Sequence, residues 1–349
     1  MTVEFTVFKG SENQGIVEST TRRDGPTGNE VLVKITHSGI CGTDEHYKHA
    51  DMVLGHEGVG TVEQIGDRVS QFKVGDVVGW GYTHKTCGEC EQCLLGTVSW
   101  PSFFIPLFIF VLQAKINIAR TESSTGRTTS TRDHLARTPS GTRLSSSKFP
   151  MALLPSTRPH SCGGGATVFE VIESYNIRPT QRVGVVGIGG LGHLAIQFLA
   201  KMGASVVVFS STDSKREEAM RLGATEFYAT KGVESFDMAK LDHLMVTTSF
   251  LPDWKPFLSV MKPKSTIYPL TVDFSDLVIP IMPIVLAGIN IQGTVVAARS
   301  VHKRMLDFAA RNHVTPLIEQ FPLTRSGVEE GMTRLREGKM RYRGVLVAA

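Results

Sequence analysis

Three groups of residues have types and spacings suited to chemistry. The first joins Gly39-Ile40-Cys41-Gly42-Thr43-Asp44-Glu45-His46 to Gly55-His56-Glu57-Gly58. Cysteine and histidine are both good zinc ligands, and the glycines keep the two loops tight. A lone cysteine or histidine is more often structural; two such loops in succession are harder to dismiss. Cys162, in Cys162-Gly163-Gly164-Gly165-Ala166-Thr167, offers a further thiolate. The second group is Cys87-Gly88-Glu89-Cys90-Glu91-Gln92-Cys93. This C-x2-C-x2-C spacing suits one metal wrapped by a short loop. A closed structural zinc site needs four ligands, and no cysteine follows before Cys162.

The third group is Val183-Gly184-Val185-Val186-Gly187-Ile188-Gly189-Gly190-Leu191-Gly192. Its G-x-G-x-x-G follows an apolar strand and opens a helix. Gly187 makes the tight turn, Gly189 admits a pyrophosphate close to the backbone, and Gly192 lets helix and strand pack. With Gly190 and Leu191 these residues form the turn ahead of the helix N-terminus, whose free N–H groups favour an anion. The end of the next strand selects the dinucleotide. NAD-binding folds place Asp or Glu there for the ribose 2′-OH. Here stand Ser210 and Ser211, then Thr212, Asp213, Ser214, Lys215 and Arg216. Small hydroxyls followed by two cations suit a 2′-phosphate, which favours NADP. Against this, Lys215 and Arg216 could simply begin a solvated helix face, and Asp213 is a nearby carboxylate.

The elements that must position these groups fall into two kinds. Short strands at 31–35, 58–66 and 74–79, separated by turn signals, suggest a barrel-like β domain. From residue 166 the pattern becomes helix 167–175, strand 182–186, helix 191–202, strand 205–209 and helix 215–222. Apolar strands alternating with helices imply a parallel sheet covered on both faces. A final strand at 344–347 could return to the first domain.

The chain has 349 residues, enough for about two domains. It is 41% hydrophobic and 20% charged, with a net charge of +4, too balanced for a nucleic-acid partner. Five cysteines, three of them clustered, behind a start without a secretory leader argue for metal rather than disulfides and for a cytoplasmic protein. The apolar run 98–114 has the length of a minimal membrane span, but two prolines interrupt it, and no membrane association is expected.

The strings GICGTDEHY, LGHEGVG, CGECEQC, CGGGATVFE and GIGGLGHLA together resemble the zinc-containing medium-chain alcohol dehydrogenases, and among them the NADP-dependent cinnamyl alcohol dehydrogenase branch. The resemblance covers about 1–96 and 162–349. It implies an α/β chain with a GroES-like β-barrel catalytic domain and a Rossmann doubly wound parallel sheet. It places a catalytic zinc among Cys41, His56, Glu57 and Cys162, with Glu57 either a ligand or a neighbour of one. It assigns proton relay to Thr43 and His46. It gives Cys87, Cys90 and Cys93 three of the four places at a structural zinc. The substrate implied is an aromatic or medium aliphatic primary alcohol or its aldehyde, and a homodimer through the nucleotide domains, along 279–293, is a family habit.

Residues 97–161 depart from that family. They read as a retained intron followed by exon in the wrong frame. Val98-Ser99 is what a splice donor GTAAGT encodes, and a pyrimidine-rich intron tail yields the Phe, Leu, Ile and Val that run to Leu112. Read from the third base of each codon, 116–121 permits Gln-Tyr-Cys-Glu-Asn-Arg, close to the family string that carries the missing cysteine. Later stretches at the same offset permit further family strings. The resulting expectation is four segments: catalytic domain 1–96, an aberrant, disordered or aggregation-prone 97–161, nucleotide domain 162–292, and a return to the catalytic domain over 293–349. Three other readings stay open: an inactive mis-spliced product, a polyol dehydrogenase and a membrane-anchored reductase. Zinc content separates an intact two-zinc enzyme from a product with at most the catalytic ion.

Overall fold

Residues 2–86, 117–119, 143–148, 161–273, 275–294 and 296–349 are described by the structure, a computed structural model. β1 (Thr2–Lys9) alternates outward and inward side chains and pairs antiparallel with β2 (Val17–Asp24). β3 (Val31–Ile40) buries Val31, Leu32, Val33 and Ile35. At its end the chain turns into α1 (Gly42–His46), then returns as β4 (Glu57–Ile65), antiparallel to β3. β5 (Val77–Thr86) continues the sheet beside β4.

Two short pieces follow, β6 (Asn117–Ala119) against β3 and β7 (Arg143–Lys148) against β5. Both belong to 97–161, so at these two places the stretch contributes short strands to the barrel sheet. The physical reason is that any extended backbone can satisfy the open hydrogen-bonding edge of a neighbouring strand. The rest of 97–161 except Ser161, with Cys87, Cys90 and Cys93, lies outside the described residues.

A π-helical turn over Ser161–Gly165 leads into α2 (Ala166–Ser174), β8 (Arg182–Val186), α3 (Gly192–Met202) and β9 (Ser205–Ser210). A 3₁₀ turn over Asp213–Lys215 precedes α4 (Arg216–Leu222), then come β10 (Glu226–Ala229) and β11 (Leu241–Val246). α5 (Trp254–Ser259), β12 (Met261–Pro269), α6 (Ile281–Ala287) and β13 (Asn290–Ile291) complete a parallel sheet in the order β10-β9-β8-β11-β12-β13. Val183, Val185, Val206, Val207, Val208 and Leu244 have no exposure at all, because helices cover both faces. Each such burial stabilises by about 1.5–3 kcal/mol. The strand order reverses between β8 and β11, and sheets of this kind bind ligands in the crevice at that point, beyond the carboxyl ends of the strands.

α7 (Arg299–Asn312) places Val301, Met305, Leu306 and Ala309 in the same core cluster as residues of α2, α3, β8 and β9. The chain then rejoins the first sheet. β14 (Ile318–Pro322) and, after α8 (Arg325–Arg336), β15 (Arg343–Val347) extend it, with β15 antiparallel to β3. Among the described residues that sheet runs β14-β15-β3-β4-β5-β7, with β6 also on β3. No helix among the described residues is long and apolar enough to cross a membrane.

Candidate active site

Cys41 follows β3 and stands at the N-cap of α1. Asp44, buried three residues later, folds back on it: its Oδ2 accepts the Cys41 N–H at 2.9 Å. Its Oδ1 accepts the Gly55 N–H at 2.8 Å and lies 3.3 Å from His56 Nδ1. One carboxylate therefore joins the two loops and fixes the imidazole. The donor atoms of Cys41, His56 and Glu57 lie within 4.8 Å of one another. Zinc bonds to sulfur, nitrogen and oxygen are about 2.0–2.3 Å long, which spaces tetrahedral donors at about 3.3–3.8 Å, so these three stand near the spacing that one ion needs.

The electrostatics suit a cation too. Burial works against the Cys41 thiolate, but His56 and then Arg343 outweigh it, and the thiol sits below its usual pKa. A thiolate is the ligating form. Burial likewise disfavours His56 as a cation, yet Asp44 and Cys41 raise it well above the ordinary imidazole value. The side chain of Cys162 lies outside the described residues. Its backbone turn does reach the cluster: a Cβ on Gly163 would stand 1.8 Å from Glu57 Oε1, which is why that position tolerates only hydrogen.

Glu57, 1% exposed, is held by Arg343 at the start of β15. The guanidinium donates to its Oε1 and Oε2 at 2.6 and 2.9 Å. The same Arg343 lies against the glycine loop, where a Cβ on Gly190 would meet its Cδ at 2.4 Å. The metal-type cluster and the loop thus share a wall. Thr43 Oγ1 lies 3.8 Å from Cys41 Sγ, and His46, exposed, closes the same short helix.

In the loop, Gly187 has φ of 93° and directly follows β8. A Cβ on Gly189 would meet nothing within 4 Å, leaving open space for a ligand at the backbone. A Cβ on Gly192 would lie 1.9 Å from the Gly187 carbonyl oxygen. Thr247, at the end of β11, donates to the Val186 and Gly187 carbonyls at 2.9 and 3.0 Å and braces the turn. Leu191 is the N-cap residue of α3. This geometry fits a dinucleotide pyrophosphate, which needs close backbone approach at the helix N-terminus.

Ser210 closes β9 and Ser211 follows it, exposed. Lys215 Nζ donates to the Ile188 carbonyl at 2.9 Å and lies 4.7 Å from the centroid of the Tyr342 ring. Burial, followed by the nearby Arg341, brings its ammonium below the usual lysine value. Arg216 is turned to Asp213 at 2.6 Å and to the Phe227 carbonyl at 3.0 Å. Its guanidinium is shared with a carboxylate, whereas Lys215 faces the loop.

Sequence reasoning singled out neither Asp44, Thr247, Tyr342 nor Arg343. Asp44 had a local signal, since an acidic residue three positions after a helix start is a capping arrangement. Arg343 and Tyr342 had none. They sit in the basic run Lys339-Met340-Arg341-Tyr342-Arg343, which reads as surface charge.

Residues 27–103 match the family described as alcohol dehydrogenase GroES-like domain, and 190–311 match zinc-binding dehydrogenase. The aldehyde reductase AdhA of Synechocystis sp. is 31% identical over 330 residues, covering 91% of both chains. The NADP-dependent alcohol dehydrogenase C 1 of Mycolicibacterium smegmatis is 28% identical over 97% of this chain and 96% of its own. A solved cinnamyl alcohol dehydrogenase from Sorghum bicolor superposes with a TM-score of 0.81 at 26% identity, covering 99% of this chain and 98% of that one. A CAD from Helicobacter pylori complexed with NADP(H) superposes with a TM-score of 0.82 over 99% of each chain, and at 20% identity this is a likeness of fold.

Proposed function

The chain belongs to the zinc-binding alcohol dehydrogenases with a GroES-like domain, and from that premise we propose that it is an NADP-dependent oxidoreductase interconverting a primary alcohol and its aldehyde. The substrate class is aromatic or medium aliphatic. One observation carries the reading: Arg343 touches Glu57 of the metal-type cluster and abuts Gly190 of the dinucleotide loop, so both halves of the chemistry meet at one residue.

Cys41, His56 and Glu57, with Cys162, are the residues to hold zinc, and the loop Gly187 to Gly192 with Ser210, Ser211, Lys215 and Arg216 is the place for NADP(H). When bound, zinc supplies Lewis-acid polarisation of the carbonyl and NADPH supplies the hydride. Asp44 keeps His56 oriented through Nδ1, which leaves Nε2 for the metal. In this reading Thr43, beside the Cys41 sulfur, gives the proton that turns the reduced carbonyl into an alcohol, and His46, exposed at the end of α1, passes a replacement from solvent. Each turnover then consumes one aldehyde, one NADPH and one proton, and releases one alcohol and one NADP⁺.

The exposed apolar face of α6, with Ile281 at 63% and Leu286 at 79%, immediately precedes the edge strand β13 in the chain. An open strand edge and such a face favour pairing with a second copy, so a homodimer accompanies this reading. A cytoplasmic location accompanies it as well. The test is NADPH consumption by zinc-loaded protein. An aromatic aldehyde should trigger oxidation in the parent chain and none in Cys41→Ser. Consumption that ignores the aldehyde, or survives the substitution, would rule the reading out and leave the inactive-product alternative.

A further inference from the structure

Tyr342 immediately precedes β15, the strand that completes the catalytic-side sheet, yet its side chain lies in the nucleotide-side core and is 3% exposed. Its ring is stacked on His193 of α3, with centroids 5.2 Å apart and planes 17° from parallel. Its hydroxyl donates to Glu218 of α4, and Arg341 holds the same carboxylate at 2.8 Å. His193 is itself fixed: its Nδ1–H donates to the Gly189 carbonyl at 2.9 Å and its Nε2 accepts the Leu317 N–H at 3.2 Å. The ring therefore has little freedom to move. Over it lies the Lys215 ammonium, 4.7 Å from the centroid and bonded to the Ile188 carbonyl.

From this arrangement we infer that Tyr342 is a positioning residue for cofactor choice: its ring seats the Lys215 ammonium where the 2′-phosphate of NADP(H) must be met. The inference rests on the NADP reading above. A lysine head on four rotatable carbons is costly to order, and an aromatic face attracts and localises it without neutralising its charge. A carboxylate bonded to the ammonium would instead repel a phosphate; Glu218, whose charge also acts on Lys215, is held by Tyr342 and Arg341. Among the described residues the ammonium gives one hydrogen bond, to Ile188, which leaves N–H for phosphate oxygens. The 2′-phosphate site is thus assembled from both parts of the chain, the lysine from the nucleotide side and its seat from the segment that returns to the catalytic sheet. NADH carries no 2′-phosphate and makes no use of this lysine.

The experiment measures Kd for NADPH and for NADH by fluorescence titration of the zinc-loaded full chain. Tyr342→Met fills a similar volume without an aromatic face, and Tyr342→Phe keeps the face but loses the bond to Glu218. The methionine variant should weaken NADPH by about 3- to 30-fold and leave NADH within about twofold, while phenylalanine keeps most of the parent preference. In a Lys215→Met background, Tyr342→Met should have no further effect on NADPH. A purely structural role would instead weaken both dinucleotides together, and that outcome, or an unchanged NADPH to NADH ratio, overturns the inference. Should the methionine variant not fold, progressively fluorinated phenylalanines at 342 keep the shape while draining the ring face. NADPH affinity should fall stepwise along that series, and a flat series overturns the inference. A parent protein that binds NADPH no better than NADH overturns the NADP reading itself.

Discussion

Arg343 donates to both carboxylate oxygens of Glu57, 286 residues earlier in the chain, and this ion pair is buried on both sides. The two buried charges compensate each other, and Cys41 beside Arg343 and His56 beside Glu57 extend the same network. Removing one leaves an uncompensated buried charge, which costs about 3–5 kcal/mol. Arg343→Met should therefore lower the unfolding free energy by that order in a denaturant titration, and the double variant Arg343→Met with Glu57→Leu should recover most of it. A single variant as stable as the parent would show that the pair contributes nothing.

Asp44 touches three groups at once: the Cys41 and Gly55 N–H groups and His56 Nδ1. Partners that orient a ligating histidine are typically worth about 10–100-fold in metal affinity. Zinc competition against a chromogenic chelator should place Asp44→Ala in that range below the parent, with Asp44→Asn between them. Equal zinc affinity in Asp44→Ala would mean that the two loops hold the cluster without the carboxylate.

The glycine loop was legible in the sequence because its spacing encodes a backbone shape, and backbone shape is local. The strands β8 and β9 were legible because burial on both faces demands uninterrupted apolar residues such as Val206, Val207 and Val208. The arginine that joins the two half-sites was not. Its meaning depends on Glu57 across the sheet and on Gly190 in another layer, and no local pattern marks such a contact. Tyr342 was hidden for the same reason. The cations after β9 were read as a pair, whereas the fold separates them: Lys215 turns to the loop and Arg216 to Asp213. The three cysteines at 87, 90 and 93 lie outside the described residues.

Gly189 and Gly192 separate binding from folding. A Cβ at 189 meets open space, so Gly189→Ala should melt like the parent yet bind NADPH at least about tenfold more weakly, because the methyl occupies the pyrophosphate's approach. A Cβ at 192 would stand 1.9 Å from a carbonyl oxygen, and overpacking of that kind costs about 1–3 kcal/mol. Gly192→Ala should lose both stability and binding. Thermal melts and NADPH titrations of the two variants decide the matter, and identical behaviour would refute the distinction.

His243 gives stability a pH dependence. Its Nδ1 lies 3.1 Å from the Tyr268 hydroxyl and its Nε2 is buried with no hydrogen-bond partner among the described residues. Burial is the largest influence and lowers its pKa, with Asp242 opposing and Lys262 assisting. Burial also pushes Tyr268 up to about 12, so the phenol stays neutral throughout. The folded histidine thus takes its proton at lower pH than the unfolded one, whose usual value is 6.5. Below that pH the unfolded chain binds the proton first, and stability falls until the folded value is passed. The loss is bounded at about 1.4 kcal/mol per pH unit for one group. Stability of His243→Gln should fall less steeply than that of the parent between neutral and mildly acidic pH. Parallel curves would remove His243 as the cause.

The most direct measurement follows the hydride itself. NADPH deuterated at the transferable position of the nicotinamide is mixed with an aromatic aldehyde and the zinc-loaded protein, and the alcohol product is weighed by mass spectrometry. The account predicts an alcohol carrying one deuterium on the former carbonyl carbon, formed in step with NADP⁺. Unlabelled alcohol, or no alcohol from protein that holds both zinc and NADPH, would contradict it.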